Sequence, residues 1–198
     1  MSLAMDLASV GPGLQAPELE SQKIFRAAAE ALAHPGRIVA MQTTASMPAG
    51  LHEASGALAL SLLDHDTPLW LSPRLAGAAS FLRFHTGCPL TERAERAAFA
   101  ILEAGALRSL ADFDNGEDAY PERSATLIVQ VERLDDQGGW TLAGPGIKDR
   151  AQLRVEGLPA QFAAEWAANA GRFPRGVDLF LSCGGRACGL PRTTRIEA

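Results

Sequence analysis

The stretch that decides the fold is ATLIVQVERL, residues 125–134, which is rich in β-branched and other apolar residues. Such a run favours a buried strand. The turn-forming sequence DDQGG follows at 135–139, and WTLA at 140–143 resumes the strand pattern. We therefore predict a β-hairpin here, whose pairing stops at the Gly-Pro-Gly sequence of residues 144–146.

Helical and strand-like segments alternate on both sides of this stretch. The strand-like run at 97–102 also fits a helix, and the first helix must end at His34-Pro35-Gly36, because the residue before a proline favours extended geometry. Together the segments predict an α/β domain, a three-layer sandwich with a mixed central sheet and helices on both faces. Helices are predicted at 18–33, 51–63, 74–83 and 159–170, and strands at 37–43, 68–71, 97–102, 177–182 and 193–196.

Length and composition indicate one globular domain, residues 1–198, with a flexible or loosely packed segment at 1–17. Hydrophobic residues make up 47% and charged residues 21%, which excludes global disorder. The net charge of −5, without a basic block, argues against a nucleic-acid partner. No apolar run approaches the ~20 residues of a membrane span, and the N-terminus lacks the pattern of a secretory signal.

Cysteine and histidine usage gives little support to a metal site or a catalytic triad. The three cysteines, Cys88, Cys183 and Cys188, form an odd number, which fits reduced thiols in the cytoplasm. Only Cys183 and Cys188 lie close in sequence, whereas a structural zinc site needs about four ligands. All four histidines lie in the first 85 residues, and there is no Gly-x-Ser-x-Gly motif. We therefore predict no metal site and ordinary thiols.

Three short segments contain groups that could act chemically. Asp64-His65-Asp66 offers carboxylates and an imidazole for a divalent ion or a proton transfer, or else forms a solvated turn. The sequence at 144–147, GPGI, is not a nucleotide motif because its proline removes an amide donor; it fits a tight turn or an anion-binding nest. PRTTR at 191–195 combines two guanidinium groups with two hydroxyls, either to hold a phosphate or phosphonate or as an exposed edge strand.

Seven segments in order carry a resemblance to a known family. Taken together, they resemble the PhnH family, the H subunit of bacterial carbon–phosphorus lyase, and they span nearly the whole chain. The segments are SQKIFR (21–26), AHPGR (33–37), LLDxDT (62–67), PERSAT (121–126), LxGPGI (142–147), FPxGVDL (173–179) and LPRTT (190–194).

The resemblance implies a fold similar to that of pyridoxal-phosphate-dependent transferases, without the cofactor. The residues support the same expectation, because a Schiff base needs a lysine and arginine outnumbers lysine 16 to 2. Lys23 falls in the first predicted helix, which leaves Lys148 as the one candidate. We therefore expect that the chain does not use pyridoxal phosphate. A further hypothesis is that it is a relict of a pyridoxal-binding domain.

The resemblance also implies a homodimer that assembles with the G, I and J subunits of carbon–phosphorus lyase in organophosphonate catabolism. The G, H, I and L components together displace adenine from ATP with a phosphonate, giving a ribose 1-phosphonate 5-triphosphate. The J subunit then cleaves the carbon–phosphorus bond with an iron–sulfur cluster. This chain has no CxxC or CxxxC sequence, so we predict that it is not the cleaving subunit.

Two hypotheses about the chain's own role remain open at this point. In the first, it is a dimeric scaffold that contributes no catalytic group. In the second, it binds ATP or a phosphonate directly: Arg192, Thr193 and Thr194 hold the anion, with Gly144 and Gly146 lining the pocket. Asp64 or Glu122 then acts as a base or a metal ligand. The second hypothesis requires Asp64, Glu122, Asp178 and Arg192 to converge on one cleft.

Overall fold

The computed structural model describes residues 10–197, which form four α-helices and nine strands. The helices are α1 (Pro17–Ala33), α2 (Glu53–Leu62), α3 (Ala79–Thr86) and α4 (Phe162–Ala170). The strands are β1 (Ile38–Ala40), β2 (Leu69–Leu71), β3 (Phe99–Glu103), β4 (Thr126–Gln130), β5 (Arg133–Ala143), β6 (Ala151–Glu156), β7 (Asp178–Cys183), β8 (Arg186–Leu190) and β9 (Arg195–Glu197).

Six strands form a mixed central sheet in the order β1-β8-β7-β4-β3-β2. Strands β2, β3, β4 and β7 are parallel, and β8 is antiparallel to both β7 and β1. Strand β1 therefore points the same way as the four parallel strands. We call the edge where these five strands begin the amino edge and the opposite one the carboxyl edge. A second, antiparallel sheet has the order β6-β5-β9.

Each face of the central sheet buries its own hydrophobic core. Alternate residues of the parallel strands, such as Ile101 and Ile128, pack against α1, α2 and α3. The residues between them, such as Leu102 and Val129, pack against α4 and the second sheet. Each fully buried side chain of this size contributes ~1.5–3 kcal/mol. The predicted α/β fold with a mixed central sheet is confirmed, but the second face is covered by one helix and a sheet rather than by helices alone.

The predicted hairpin at 125–143 is wrong. Strand β4 lies between β3 and β7 and is parallel to both, whereas β5 leaves for the second sheet and pairs with β6 and β9. Residues 136–139 form an irregularity within β5, between the Asp135–Arg154 and Trp140–Leu153 pairs. The physical reason is that a nearly continuous apolar run is typical of a parallel strand buried on both faces, whose neighbours cannot be joined by a tight turn.

Most other predicted elements are confirmed, with shifted ends. The predicted helix at 74–83 begins instead as a 3-10 turn, Pro73–Ala78, and continues as α3. Strands β6 and β8 were not predicted; β8 reads RACGL, whose glycine and cysteine carry no strand signal. Among the described residues, none of the helices is both long and apolar enough to span a bilayer.

The start of the chain is only partly described. Residues 1–9 of the segment predicted to be loosely packed lie outside the described residues. Val10 and Leu14 are partly buried and pack against the first core.

Candidate functional site

The segments that carry the family resemblance converge on the amino edge of the central sheet. Those at 33–37, 62–67, 121–126 and 173–179 lie at or just before the starts of β1, β2, β4 and β7. The segment at 190–194 follows β8, which runs the opposite way and so ends at the same edge. The segment at 142–147 ends β5 beside it, and the remaining one, 21–26, lies within α1.

Arg192 joins three of these segments. Its Nη2 donates to Asp178 Oδ2 at 2.5 Å and to Ser124 Oγ at 2.6 Å. Its Nη1 donates to the carbonyl oxygens of Pro121 and Pro174, both at 3.1 Å. The Arg192 backbone N–H also donates to Asp178 Oδ1 at 2.7 Å. The guanidinium predicted to hold an anion is therefore bound by groups of the chain itself, and the ion pair with Asp178 is largely buried.

The two threonines beside Arg192 are also used in packing. Thr194 is fully buried, and its carbonyl oxygen accepts a hydrogen bond from Trp166 Nε1 at 2.8 Å. Its Oγ1 has no hydrogen-bond partner in the described part of the chain. The Thr193 carbonyl lies against Gly144. This arrangement presents no pair of hydroxyls for a phosphate.

The glycines at 144 and 146 allow close backbone approach. At Gly144 (φ +143°) a Cβ would lie 2.8 Å from the Thr193 carbonyl oxygen, and at Gly146 (φ +81°) a Cβ would overlap the Ala33 carbonyl oxygen. The Ile147 N–H donates to the Gly144 carbonyl at 3.2 Å, which closes the turn. Of the two alternatives for this sequence, the geometry fits the tight turn.

The two carboxylates proposed as bases, Asp64 and Glu122, precede different strands, β2 and β4, which lie two strand spacings, or ~10 Å, apart. Asp64 precedes β2 at one end of the sheet, three strand spacings, or ~14 Å, from β7. Its Oδ1 accepts from the Asp66 backbone N–H at 2.9 Å, so 64–67 is an exposed turn. Glu122 is exposed next to Pro121. Of the four residues required to converge, only Asp178 and Arg192 are in contact, as an internal ion pair.

The two lysines do not fit pyridoxal phosphate. Lys23 is exposed on α1, and Lys148 is exposed at an open cleft of about 530 Å³ beside the 144–147 turn. A Schiff-base lysine acts in an enclosed site that holds the whole cofactor. The cleft is also lined by Arg37 and Arg150, which pair with Glu30 and, at 2.8 Å, with Glu197.

The cysteines are free and mostly inaccessible. Cys88 and Cys188 are buried, and burial raises the pKa of both thiols, that of Cys188 to about 12. Cys183 is partly exposed. Within residues 10–197, no three His, Cys, Asp or Glu side chains are grouped to hold a metal ion. High pKa values make the two buried thiols unreactive at neutral pH.

Two exposed aromatic side chains lie beside the Arg192 contacts. Tyr120 is 47% and Phe173 65% exposed, and each precedes a proline whose carbonyl binds Arg192 Nη1. The Arg123 guanidinium lies 4.1 Å from the centre of the Tyr120 ring. An ion pair of 3.0 Å between Asp118 and Arg175 joins the same two loops. We call the surface around Tyr120 and Phe173 the aromatic surface.

Sequence reasoning missed the side chains that hold these loops. Asn169 is fully buried on α4 and bonds to both the N–H and the carbonyl of Val177, each at 2.9 Å. Arg172 Nη1 donates to Asn115 Oδ1 at 2.8 Å. Asn169 could have been singled out from the sequence, because it is a polar residue at helical spacing from Phe162 and Trp166, on the apolar stripe of α4. Polar residues at the carboxyl edge were missed as well.

Comparison with known proteins gives the family. The sequence profile described as "Bacterial phosphonate metabolism protein (PhnH)" matches residues 12–197. The chain belongs to the PhnH family. A PhnH-family relative in Rhizobium meliloti (strain 1021), "Alpha-D-ribose 1-methylphosphonate 5-triphosphate synthase subunit PhnH", is 45% identical over 186 residues, which are 91% of this chain and 92% of that protein.

A second relative carries a different name. The "Putative C-P lyase subunit protein HtxG" of Stutzerimonas stutzeri is 31% identical over 186 residues, 92% of this chain and 88% of that protein. The resemblance stated from the seven segments is thus confirmed. In this PhnH-family chain, six of those segments build the amino edge, through backbone approach and internal hydrogen bonds.

Proposed function

We propose that this chain is the H-type, non-cleaving subunit of the carbon–phosphorus lyase machinery in phosphonate metabolism. In this role it supports the formation of ribose 1-phosphonate 5-triphosphate from ATP and phosphonate as a cytoplasmic, dimeric scaffold. The names of both relatives support this assignment. The observation that carries the scaffold role is the Arg192 site: its donors are bound to Asp178, Ser124 and two prolyl carbonyls, which leaves no preformed anion site there.

The aromatic surface is the proposed docking site for another subunit, G, I or J, of the same assembly. Aromatic side chains at a rigid, exposed position supply much of the binding energy in protein interfaces. Here the loops that bear Tyr120 and Phe173 are fixed by Arg192 and by the Asp118–Arg175 ion pair. A fixed surface loses little conformational entropy when a partner binds.

The likeness to pyridoxal-phosphate-dependent transferases is part of the proposal at the level of the fold only. The mixed sheet with four adjacent parallel strands supports it. Lys23 and Lys148 are both exposed, which argues against an activity that depends on pyridoxal phosphate.

The scaffold role is tested by reconstitution with the partner components. Phosphonate-dependent release of adenine from ATP is measured with the G, I and L components, with and without this chain, and co-elution of the chain with the G, I and J subunits is followed by size-exclusion chromatography. We expect release to require the chain and to survive the double substitution Asp64→Asn, Glu122→Gln. Phe173→Asp should abolish both co-elution and release.

A matched control is Phe84→Asp, which changes an exposed phenylalanine on α3, 48% exposed, and should leave assembly intact. Loss of adenine release by the Asp64→Asn, Glu122→Gln protein, while it still co-elutes, would show that one of these carboxylates is catalytic. Release without this chain would remove its role in this step. A monomeric elution volume would contradict the proposed dimer.

A further inference from the structure

A crevice of about 290 Å³ lies at the carboxyl edge of the central sheet, opposite the edge that holds the family segments. It opens between the ends of β3 and β4 and the start of the second sheet. Its charged lining residues are Arg74, Glu103 and Glu132, with the backbone and small side chains of 104–106 beside them. In open α/β sheets, ligands bind in crevices at the carboxyl ends of the strands.

Polar residues stand at the ends of all four parallel strands. Ser72 follows β2, Glu103 ends β3, Gln130 ends β4, and Ser182 lies near the end of β7. Ser72, Gln130 and Ser182 are buried, with 0%, 5% and 0% exposure. Buried polar groups destabilise a protein unless they are hydrogen-bonded, and these groups have partners. The carboxyl edge is thus a polar, ordered layer between two apolar cores.

The hydrogen bonds of this layer leave Glu103 available to a ligand. Ser72 Oγ donates to Glu103 Oε2 at 2.5 Å, which fixes the carboxylate where it lines the crevice. Its other oxygen, Oε1, has no hydrogen-bond partner among residues 10–197. Gln130, in contrast, is bonded within the chain at both ends of its amide, because its Oε1 accepts from the His52 N–H at 2.7 Å and its Nε2 donates to Gly50 O at 2.8 Å.

The charged side chains of the crevice favour a ligand that both donates and accepts hydrogen bonds. Within the described residues, Arg74 and Glu132 form no ion pair, and both are exposed. A guanidinium binds phosphate oxygens through paired N–H groups, whereas carboxylates accept only, as from sugar hydroxyls. The lining carries two carboxylates and one guanidinium, so a purely cationic ligand would leave Arg74 without a partner, and a purely anionic one would leave both carboxylates without one. A divalent metal has too few ligands here, because no three acidic, His or Cys side chains are grouped in the described part.

We propose that the crevice binds a sugar phosphate, whose hydroxyls donate to Glu103 and Glu132 and whose phosphate accepts from Arg74. Its volume is at the lower end of ligand sites, which suits a monosaccharide phosphate rather than a whole nucleotide. The alanines at 104 and 106 provide an apolar surface for the sugar carbons. The proposal does not rest on the docking role, which concerns the opposite edge of the sheet.

The test uses the full chain alone, with ribose 5-phosphate as the probe. Isothermal titration and ligand-observed NMR should detect binding in about the millimolar range. Arg74→Ala should weaken binding about tenfold or more through loss of the charge-assisted hydrogen bonds. Glu103→Gln keeps an acceptor for Ser72 Oγ and should still weaken binding, as should the exposed change Glu132→Gln. Arg26→Ala on α1 and Glu122→Gln at the amino edge are matched controls and should bind as the wild type does.

Two comparisons identify the two halves of the ligand. Ribose and inorganic phosphate, titrated separately, should each bind at least about tenfold more weakly than ribose 5-phosphate. The proposal is overturned if ribose 5-phosphate does not bind, or if Arg74→Ala and Glu132→Gln bind it as the wild type does. It is also overturned if phosphate alone binds equally well. Failure of adenine release with the partner subunits would leave this result unaffected, so the two proposals fail separately.

Discussion

Arg192 forms hydrogen bonds with four other residues, and all of these bonds are within the chain. It links Asp178 at the start of β7, Ser124 before β4, and the loop that contains Pro174. Exposed ion pairs contribute little, but one that is largely buried and held by several hydrogen bonds leaves an uncompensated charge when a partner is removed. We therefore assign Arg192 to stability rather than to substrate binding.

Arg192→Ala should lower the free energy of unfolding by about 3 kcal/mol, because Asp178 loses its guanidinium partner. Chemical denaturation monitored by circular dichroism measures this change. The control is Arg195→Ala, three residues further on and exposed, which should change stability by less than about 0.5 kcal/mol. A soluble Arg192→Ala protein of wild-type stability would contradict the structural role.

Because the Cys188 thiol is buried, we predict that the protein loses stability at alkaline pH. Burial raises the pKa of this thiol from 9.0 to about 12, so above pH 9 the thiol ionises in the unfolded chain before it ionises in the folded one. The contribution of the protonated Cys188 thiol to the free energy of unfolding is therefore fully present below about pH 9 and is lost as pH rises toward 12. Between pH 8 and 10 the wild type should lose about 1 kcal/mol more than Cys188→Ala. Equal losses in urea denaturation would contradict the prediction; Cys183→Ala, at a partly exposed thiol, is the control and should behave as the wild type.

At the scale of elements, helix α1 is seated on strand β8 through one glycine. A Cβ at Gly189 would lie 2.6 Å from the carbonyl carbon of Ala31. The backbone of α1 therefore approaches the sheet more closely than a side chain would permit. This contact fixes how closely the last turns of α1 lie to β8, and so where the segment at 33–37 enters the amino edge.

Gly189→Ala should destabilise the protein by about 1–3 kcal/mol through overpacking. The matched control is Gly77→Ala, where a Cβ meets no atom within 4 Å. Gly77→Ala should be neutral or slightly stabilising, because it restricts only the unfolded chain. Thermal and urea unfolding of the two variants, side by side, measure the difference. Equal stability of the two would show that α1 shifts freely away from β8.

At the scale of the whole molecule, the two cores share one sheet. Every central strand sends alternate residues to each core, so neither core persists when the strands separate. The two edges of that sheet differ: the amino edge is tied by family segments and bears the aromatic surface, and the carboxyl edge holds the polar crevice. Docking and ligand binding, as proposed, therefore use opposite ends of the same strands.

The shared sheet predicts a single cooperative unfolding transition. Tryptophan fluorescence reports on the second core, where Trp70, Trp140 and Trp166 pack. Far-UV circular dichroism is dominated by the longer helices, α1 and α2, of the first core. The two signals should give coincident curves in urea, for the wild type and for Gly189→Ala. Separate midpoints would show two independent folding units and contradict the predicted single domain.

The sequence by itself determined the elements whose signal is local. Helical spacing placed α1, α2 and α4, and apolar runs placed β2 and β7, because a helix or strand that faces a core needs apolar residues in a fixed pattern. The run that forms β3 also fitted a helix. The ordered segments also determined the family. They carried this information because glycines such as Gly146 and prolines such as Pro35 mark backbone positions that few other residues tolerate.

The tertiary structure decided pairing and proximity. The run at 125–134 is typical of a strand buried on both faces, but it does not specify which strands are its partners, since hydrogen bonds between strands involve only backbone groups. Likewise, Arg192 is equally suited to a phosphate or to Asp178, and only the fold brings Asp178 within 2.5 Å of it. The ends of β3 and β4 meet at the carboxyl edge for the same reason: parallel neighbours align residues that lie far apart in the chain.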